Sequence, residues 1–405
     1  MLCLCGLDRL HRSQEKEERE ALKGRLREKQ KRMTMFERKT YGRFFASLRM
    51  TAMLGIVAAL WSCAKVSDDR SGEQMPVTFS TYGLRPTGTK ADASYVAPGA
   101  DFAAGSVVGL YGFYHDNSTF ATDTVNIADF MYNTALTKQD DGTWSYSPIK
   151  YWPNEYGVDR LSFWGYYPRN AEGLSLYESG TTTPYDNGTS GIPKAAFTVN
   201  SDISQQVDLL FSLPEKDLTK PGINESVQLK FRHALTLLQF NISTSGGSLP
   251  EGAVVTIKAI SLTNVNSYGI CNDPSASISS DLDAAGYWTS VGTPVTISLP
   301  DASSDANLIL MPQTLAQEGS TGHSAVKLAL TYDIKFPAAD NPAAFITYSD
   351  NETEAYLWRD TAPAYGVKTW LPGRKYIYNV TAGLDEIEFS EVFTEVWTLE
   401  STTNL

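Results

Sequence analysis

Few residues of this 405-residue chain have the types and spacing that chemistry demands. Beyond residue 63 lie three histidines, His115, His233 and His323, each far from the others in the sequence. No His-x-x-x-His or Cys-x-x-Cys pair occurs, so tetrahedral zinc lacks its usual ligand spacing. His233 sits in an apolar run and reads as structural. Asp281-Leu-Asp283-Ala-Ala-Gly286 opens like a calcium loop, but its twelfth position is Gly292, where a bidentate Glu is needed. There is no Gly-x-Ser-x-Gly elbow and no Gly-rich phosphate loop closed by Lys-Ser or Lys-Thr. Carboxylates are plentiful, and a glycosidase-like pair could assemble from distant positions. No two are singled out, and their number serves solubility. The expectation is a protein without catalytic residues, cofactor or metal.

One cysteine does have a chemistry written around it. Arg38, Lys39, Arg43 and Arg49 precede the apolar run Met50 to Trp61, which ends in Ser62-Cys63. A basic stretch followed by about 12 apolar residues is a signal peptide, since a spanning helix needs about 20. Leu60-Trp61-Ser62-Cys63 resembles a lipobox, in which the cysteine is acylated and becomes N-terminal. Trp61 is bulkier than the usual residue there, and an ordinary signal peptide with an incidental cysteine is the other reading. Acylation accounts for the thiols: Cys3 and Cys5 are lost, Cys63 is capped, and Cys271 stands alone, leaving no internal disulfide. The mixed-charge run Glu15 to Arg32 reads either as a solvated helix or as sequence upstream of a true start at Met33, Met35 or Met50.

Charge separates this end from the body. Residues 1–63 carry 14 Lys and Arg against 7 Asp and Glu; residues 64–405 carry 20 against 39. The basic end is a targeting segment, and an acidic body argues against nucleic acid as a partner. Residues 64–76 are polar and aperiodic, a flexible tether in which Asp68-Asp69 loosely resembles a surface-export signal.

The body reads as strands. Val77–Tyr82 alternates at period two, and Val107–Tyr114 is β-branched and aromatic. Further candidates are Leu161–Tyr167, Val207–Phe211, Val227–Ile242, Val254–Leu262, Val295–Leu299, Leu308–Leu310, Val326–Ile334, Lys375–Val380 and Ile387–Phe393. Turn clusters such as Asp140-Asp141-Gly142 and Pro372-Gly373 separate them. Only a short stretch near Asn126–Leu136 is ambiguous with helix. The expected class is all-β, as sandwiches. The polar segment Pro214–Asn224 suggests a boundary, giving domains 77–220 and 221–405. Nine aromatics fall between Trp144 and Tyr167. They read as packing, or alternatively as a platform for stacking glycans.

Gly142-Thr-Trp144-Ser-Tyr146, Tyr151-Trp152-Pro153 and Phe163-Trp-Gly-Tyr-Tyr167-Pro168 are followed by His233-Ala-Leu235, Met311-Pro312-Gln313, Pro372-Gly373-Arg-Lys-Tyr376-Ile-Tyr378 and Ile387 to Trp397. In that order the motifs resemble the first and second halves of the fimbrillin family, the type V pilins and Mfa-like lipoproteins of Bacteroidetes. The resemblance implies two transthyretin-like β-sandwich domains behind a lipoprotein signal segment. It also implies a place at the outer-membrane surface and in fimbriae. The partners would be other pilus subunits and the membrane lipid that holds the acyl chain, with host or bacterial glycans or proteins as adhesion targets. Pilus-forming members lose their first strand to a trypsin-like protease, and a neighbour's strand refills the groove. Here Val77–Tyr82 would be that strand. Lys90 and Arg85 would be the cleavage points, with Lys90 standing where many relatives have Arg. A cut at Arg70 would only free the protein from its lipid.

An exchanged strand restores the backbone ladder and places alternate side chains in the slot. In the tail Ile387, Phe389, Phe393, Trp397 and Leu399 all hold odd positions, one face of a straight strand, interrupted by Glu391 and Glu395. The tail therefore either donates this face to a neighbour or closes its own sheet.

Overall fold

The computed structural model describes residues 74–86, 93–95, 102–153, 158–221, 225–244, 249, 251–275, 287–299, 307–316, 325–338, 341–360, 364–382 and 387–396. Cys63, Arg70, Lys90, His323, Trp397 and Leu399 lie outside them. The chain passes through β1 (Phe79–Pro86), β2 (Ala93–Tyr95), β3 (Val107–His115), β4 (Met131–Lys138), β5 (Trp144–Ser145) and β6 (Arg160–Tyr167). It continues with β7 (Leu174–Tyr177), β8 (Lys194–Thr198), β9 (Leu210–Ser212), β10 (Glu215–Leu218), β11 (Val227–His233) and β12 (Thr236–Ser243). Next are β13 (Val254–Val265), β14 (Tyr268–Cys271), β15 (Trp288–Val291), β16 (Val295–Ser298), β17 (Leu308–Leu310) and β18 (Gln313–Thr314). Last come β19 (Lys327–Ala338), β20 (Asn341–Tyr356), β21 (Trp358–Arg359), β22 (Tyr365–Gly366), β23 (Thr369–Trp370), β24 (Arg374–Ala382) and β25 (Ile387–Val396). Among the described residues the regular structure is strand apart from one 3-10 turn at Ile203–Gln205 and the single helical residue Tyr287.

The first sheet runs β2-β1-β11-β9-β6-β3-β4-β5, with β10 on β6. It is buried on both faces, because alternate side chains of β3 and β6 enter different cores. Val108, Leu110, Leu161 and Phe163 face one core, shared with Phe79, Leu229 and Phe231. Tyr111, Phe113, Trp164 and Tyr166 face another, shared with Phe197 and Trp288 of the β15-β14-β8-β7 sheet. A third core lies between the sheets β17-β12-β24-β25 and β16-β13-β19-β20, a β-sandwich packed around Phe240, Leu262, Leu328 and Tyr378.

Several strands are not among the sequence candidates, including β7, β8, β14 and β15, which form a sheet of their own, and two further segments show why. Met131–Lys138, overlapping the stretch Asn126–Leu136 that the sequence leaves ambiguous with helix, is a strand paired with β3 and β5. Its irregularity comes from Asn133, at φ 41°, whose left-handed backbone breaks the alternation. β20 carries exposed side chains on both faces over 343–350, so no buried period marks it in the sequence.

The long run Val227–Ser243 serves both halves. β11 hydrogen-bonds to β1 and β9, whereas β12 pairs with β17 and β24. The first sheet therefore extends past the boundary expected near residue 221. Between the two strands, Ala234 and Leu235 are fully buried. The Trp288 indole N–H donates to the Ala234 carbonyl at 2.6 Å, and the Gly373 N–H to that of Leu235 at 2.8 Å. His233 Nδ1 lies 2.8 Å from Asp208. The His-Ala-Leu and Pro-Gly motifs thus meet at one junction.

Candidate strand-exchange site

β1 forms because Val77, Phe79 and Thr81 alternate with the more exposed Thr78 and Ser80, a pattern that buries one face. It lies parallel to β11, Phe79 opposite Val227 through Gly83 opposite Phe231, and antiparallel to β2, Leu84 opposite Tyr95. Parallel pairing of segments about 148 residues apart follows only from tertiary structure.

The residues around β1 come from the Trp-x-Tyr and Tyr-Trp-Pro motifs. Tyr146 donates its hydroxyl proton to the Val77 carbonyl at 2.7 Å. Burial holds that phenol above its ordinary pKa, so it remains a donor. The Val77 N–H donates to the Lys150 carbonyl and the Trp152 N–H to the Met75 carbonyl, both at 2.9 Å. The phenyl of Phe79 meets Tyr146 and Phe163 edge-on, with centroids at 5.6 and 5.2 Å. The Trp144 indole N–H reaches the hydroxyl of the fully buried Thr81 at 3.2 Å. Burying Val77 and Phe79 contributes about 1.5–3 kcal/mol each. Without β1, those rings would line an apolar slot beside the unpaired edge of β11.

The aromatic cluster is mostly packing material. Tyr146, Trp152, Phe163, Trp164 and Tyr166 are buried, and Trp144 and Tyr167 half-buried. Tyr151 is the exposed member among those described. Arg85 sits within β1, its backbone paired opposite Ser94.

The tail pairs with its own sheet: β25 lies antiparallel to β24 at the sheet edge. Ile387 and Phe389 pack on the core, and Phe389 stacks on Tyr365 with centroids at 5.1 Å. The expected single face ends at a bulge. Val380 faces Phe389, but Tyr378 faces Val392, so one extra residue enters β25. Beyond it Val392 packs on the core, and Phe393 is 48% exposed.

One constellation escaped the sequence because its members are scattered. His115 Nδ1 lies 3.2 Å from an Asp123 carboxylate oxygen, and its Nε2 lies 3.0 Å from the Ser162 hydroxyl. Because the carboxylate only accepts, Nδ1 carries the proton in the neutral ring and Nε2 accepts from Ser162. Ser162 in turn accepts the Asp217 N–H at 3.0 Å. This is the order of a hydrolytic triad, yet His115 and Ser162 are sealed from solvent. Phe120 packs edge-on against the imidazole at 5.7 Å. As it stands the trio has no room for a substrate, and it satisfies buried polar groups. Among the described residues no cluster of three or more His, Cys, Asp or Glu has the geometry of a metal site.

Comparison with known proteins agrees with this architecture. A fimbrial protein from Bacteroides vulgatus shares the fold, with a TM-score of 0.51 and 20% identity, over 80% of this chain and 99% of its own. The tip fimbrial protein Mfa3 from Porphyromonas gingivalis aligns over 80% of this chain and 100% of its own, at 11% identity and a TM-score of 0.39. No curated protein matches the sequence. The sequence pattern of the fimbrillin-like family matches residues 89–397, which hold every strand from β2 to β25. Taken with the ordered motifs around β1 and at the His-Ala-Leu junction, that match means that the chain belongs to the fimbrillin-like family.

Proposed function

We propose that this protein is a structural subunit or adhesin of a surface fimbrium, assembled by exchanging β1 for a strand of a neighbouring subunit. The observation that carries the proposal is the way β1 is held. With the adjoining Val77 it fills a core position through Phe79 and Thr81, yet joins the body through the short connection to β2, which contains Lys90. Cutting that connection leaves β1 attached by non-covalent contacts alone. Lys90 suits the cut better than Arg85, because a backbone already paired in a ladder resists a protease. Acylation at Cys63 would hold the uncut precursor to the outer membrane, and a cut at Arg70 would release it with its slot still filled.

The C-terminal strand is a reasonable donor. Ile387-x-Phe389-x-Glu391 repeats the aliphatic, aromatic, polar order of Val77-x-Phe79-x-Thr81. As an edge strand, β25 can leave β24 without opening the rest of its sheet. Glycan binding through exposed aromatics is the alternative reading, with Tyr132, Tyr151, Phe345 and Tyr348 among its exposed rings.

The test is to cut the folded precursor between β1 and β2 and analyse it on denaturing gels without boiling. Ladders from the cut protein, with monomer from the uncut control, are the expected result. Monomer from both would sink strand exchange, and intact-mass analysis of the surface form would locate the lipid and the true N-terminus.

A further inference from the structure

The slot has three inward positions, and they differ in what they can recognise. Val77 is held through its carbonyl by Tyr146, a contact that any residue supplies. Phe79 is recognised by shape, between the edges of Tyr146 and Phe163. Thr81 is the only one of the three with a polar side-chain atom, and it is fully buried. Its hydroxyl oxygen accepts the Trp144 indole N–H.

Trp144 is positioned independently of β1. The ammonium of Lys138 lies over its ring at 5.3 Å, and Phe102 meets it edge-on at 5.5 Å. Lys138 is itself buried and donates to the Gly142 carbonyl at 2.7 Å. The indole N–H therefore points into the slot whether or not β1 occupies it. An aliphatic residue at the third inward position would leave that donor facing hydrocarbon.

We propose that Trp144 is a specificity-determining residue, selecting incoming strands whose inward residues run aliphatic, aromatic, hydrogen-bond acceptor at two-residue spacing. The occupant is a strand of a neighbouring fimbrial subunit with that pattern. The inference rests on the strand-exchange reading. It adds a chemical rule and a register, because sliding β1 by two residues puts either Phe79 or Gly83 against the donor, and neither side chain offers an acceptor.

The experiment uses the full chain cut between β1 and β2 and loosened in mild urea, with peptides of residues 75–86 added in excess to compete with the resident β1 for the slot. Three peptides suffice: the native one, Thr81→Val and Thr81→Ser. Val keeps the shape and loses the acceptor; Ser keeps the acceptor and loses a methyl group. The Val peptide should bind about fivefold more weakly than the native one, and the Ser peptide should stay closer to it. In the Trp144→Phe protein the Thr and Val peptides should bind alike. Equal binding of Thr and Val peptides by the unaltered protein would overturn the inference and leave strand exchange standing. Failure of every peptide to bind would instead overturn strand exchange, and the inference with it.

Discussion

The hydroxyl of Tyr146 and the carbonyl of Val77, 69 residues apart, share a buried hydrogen bond of 2.7 Å that ties the start of the first strand to the body. Tyr146→Phe keeps the ring against Phe79 and deletes this bond. The cost should be about 1 kcal/mol. It should fall on β1 before the rest, so amide exchange at Val77 and Val227, whose N–H donates to the Thr78 carbonyl, should accelerate while that of β24 stays unchanged.

Facing in the tail is open to a paired test. Phe389 stacks on Tyr365 and packs on the sandwich core, whereas Phe393 is exposed beyond the bulge. Phe389→Ala should lower stability by about 1–3 kcal/mol. Phe393→Ser should change it by less than about 0.5 kcal/mol. Urea midpoints of the two variants would show the difference; similar losses would mean that the tail keeps one face throughout.

Acid should act on the loop that carries Asp123. The Val125 N–H and then His115 hold its carboxyl below the ordinary value of 3.8. A lowered folded-state pKa contributes stability that is complete above the unfolded value and lost as pH falls through the folded one. Asp123→Asn removes that dependence. The difference in urea midpoint between pH 6 and pH 3 should therefore shrink in the variant, and an unchanged difference would refute the assignment.

Cys271 should be inert in the native protein. Burial pushes its thiol up to about 12, so almost no thiolate exists near neutral pH. Peptide mapping after iodoacetamide treatment at pH 8 should find Cys271 unmodified when folded and modified in urea.

Gly373 illustrates how motif and fold meet. Its φ of 66° suits glycine, and its N–H closes the turn onto Leu235. Substitution by Ala would strain the backbone at the junction joining β11 to β12.

Much of this protein was legible before folding. Alternation at Val77–Tyr82 and Val107–Tyr114, with turn clusters between strands, determined an all-β body, because side-chain period is a local property of the backbone. The same alternation sets Val77, Phe79 and Thr81 on one face, but that this face is the buried one is decided by the tertiary structure. What buries them was not written locally. β1 chooses β11 as a parallel partner, Trp144 and Tyr146 arrive from the far end of the sheet path, and His115 meets Asp123 and Ser162. A single extra residue opposite Asn379 turns Phe393 outward. Pairing partners and bulges depend on contacts between distant segments, and their energies exist only once the sheets have closed.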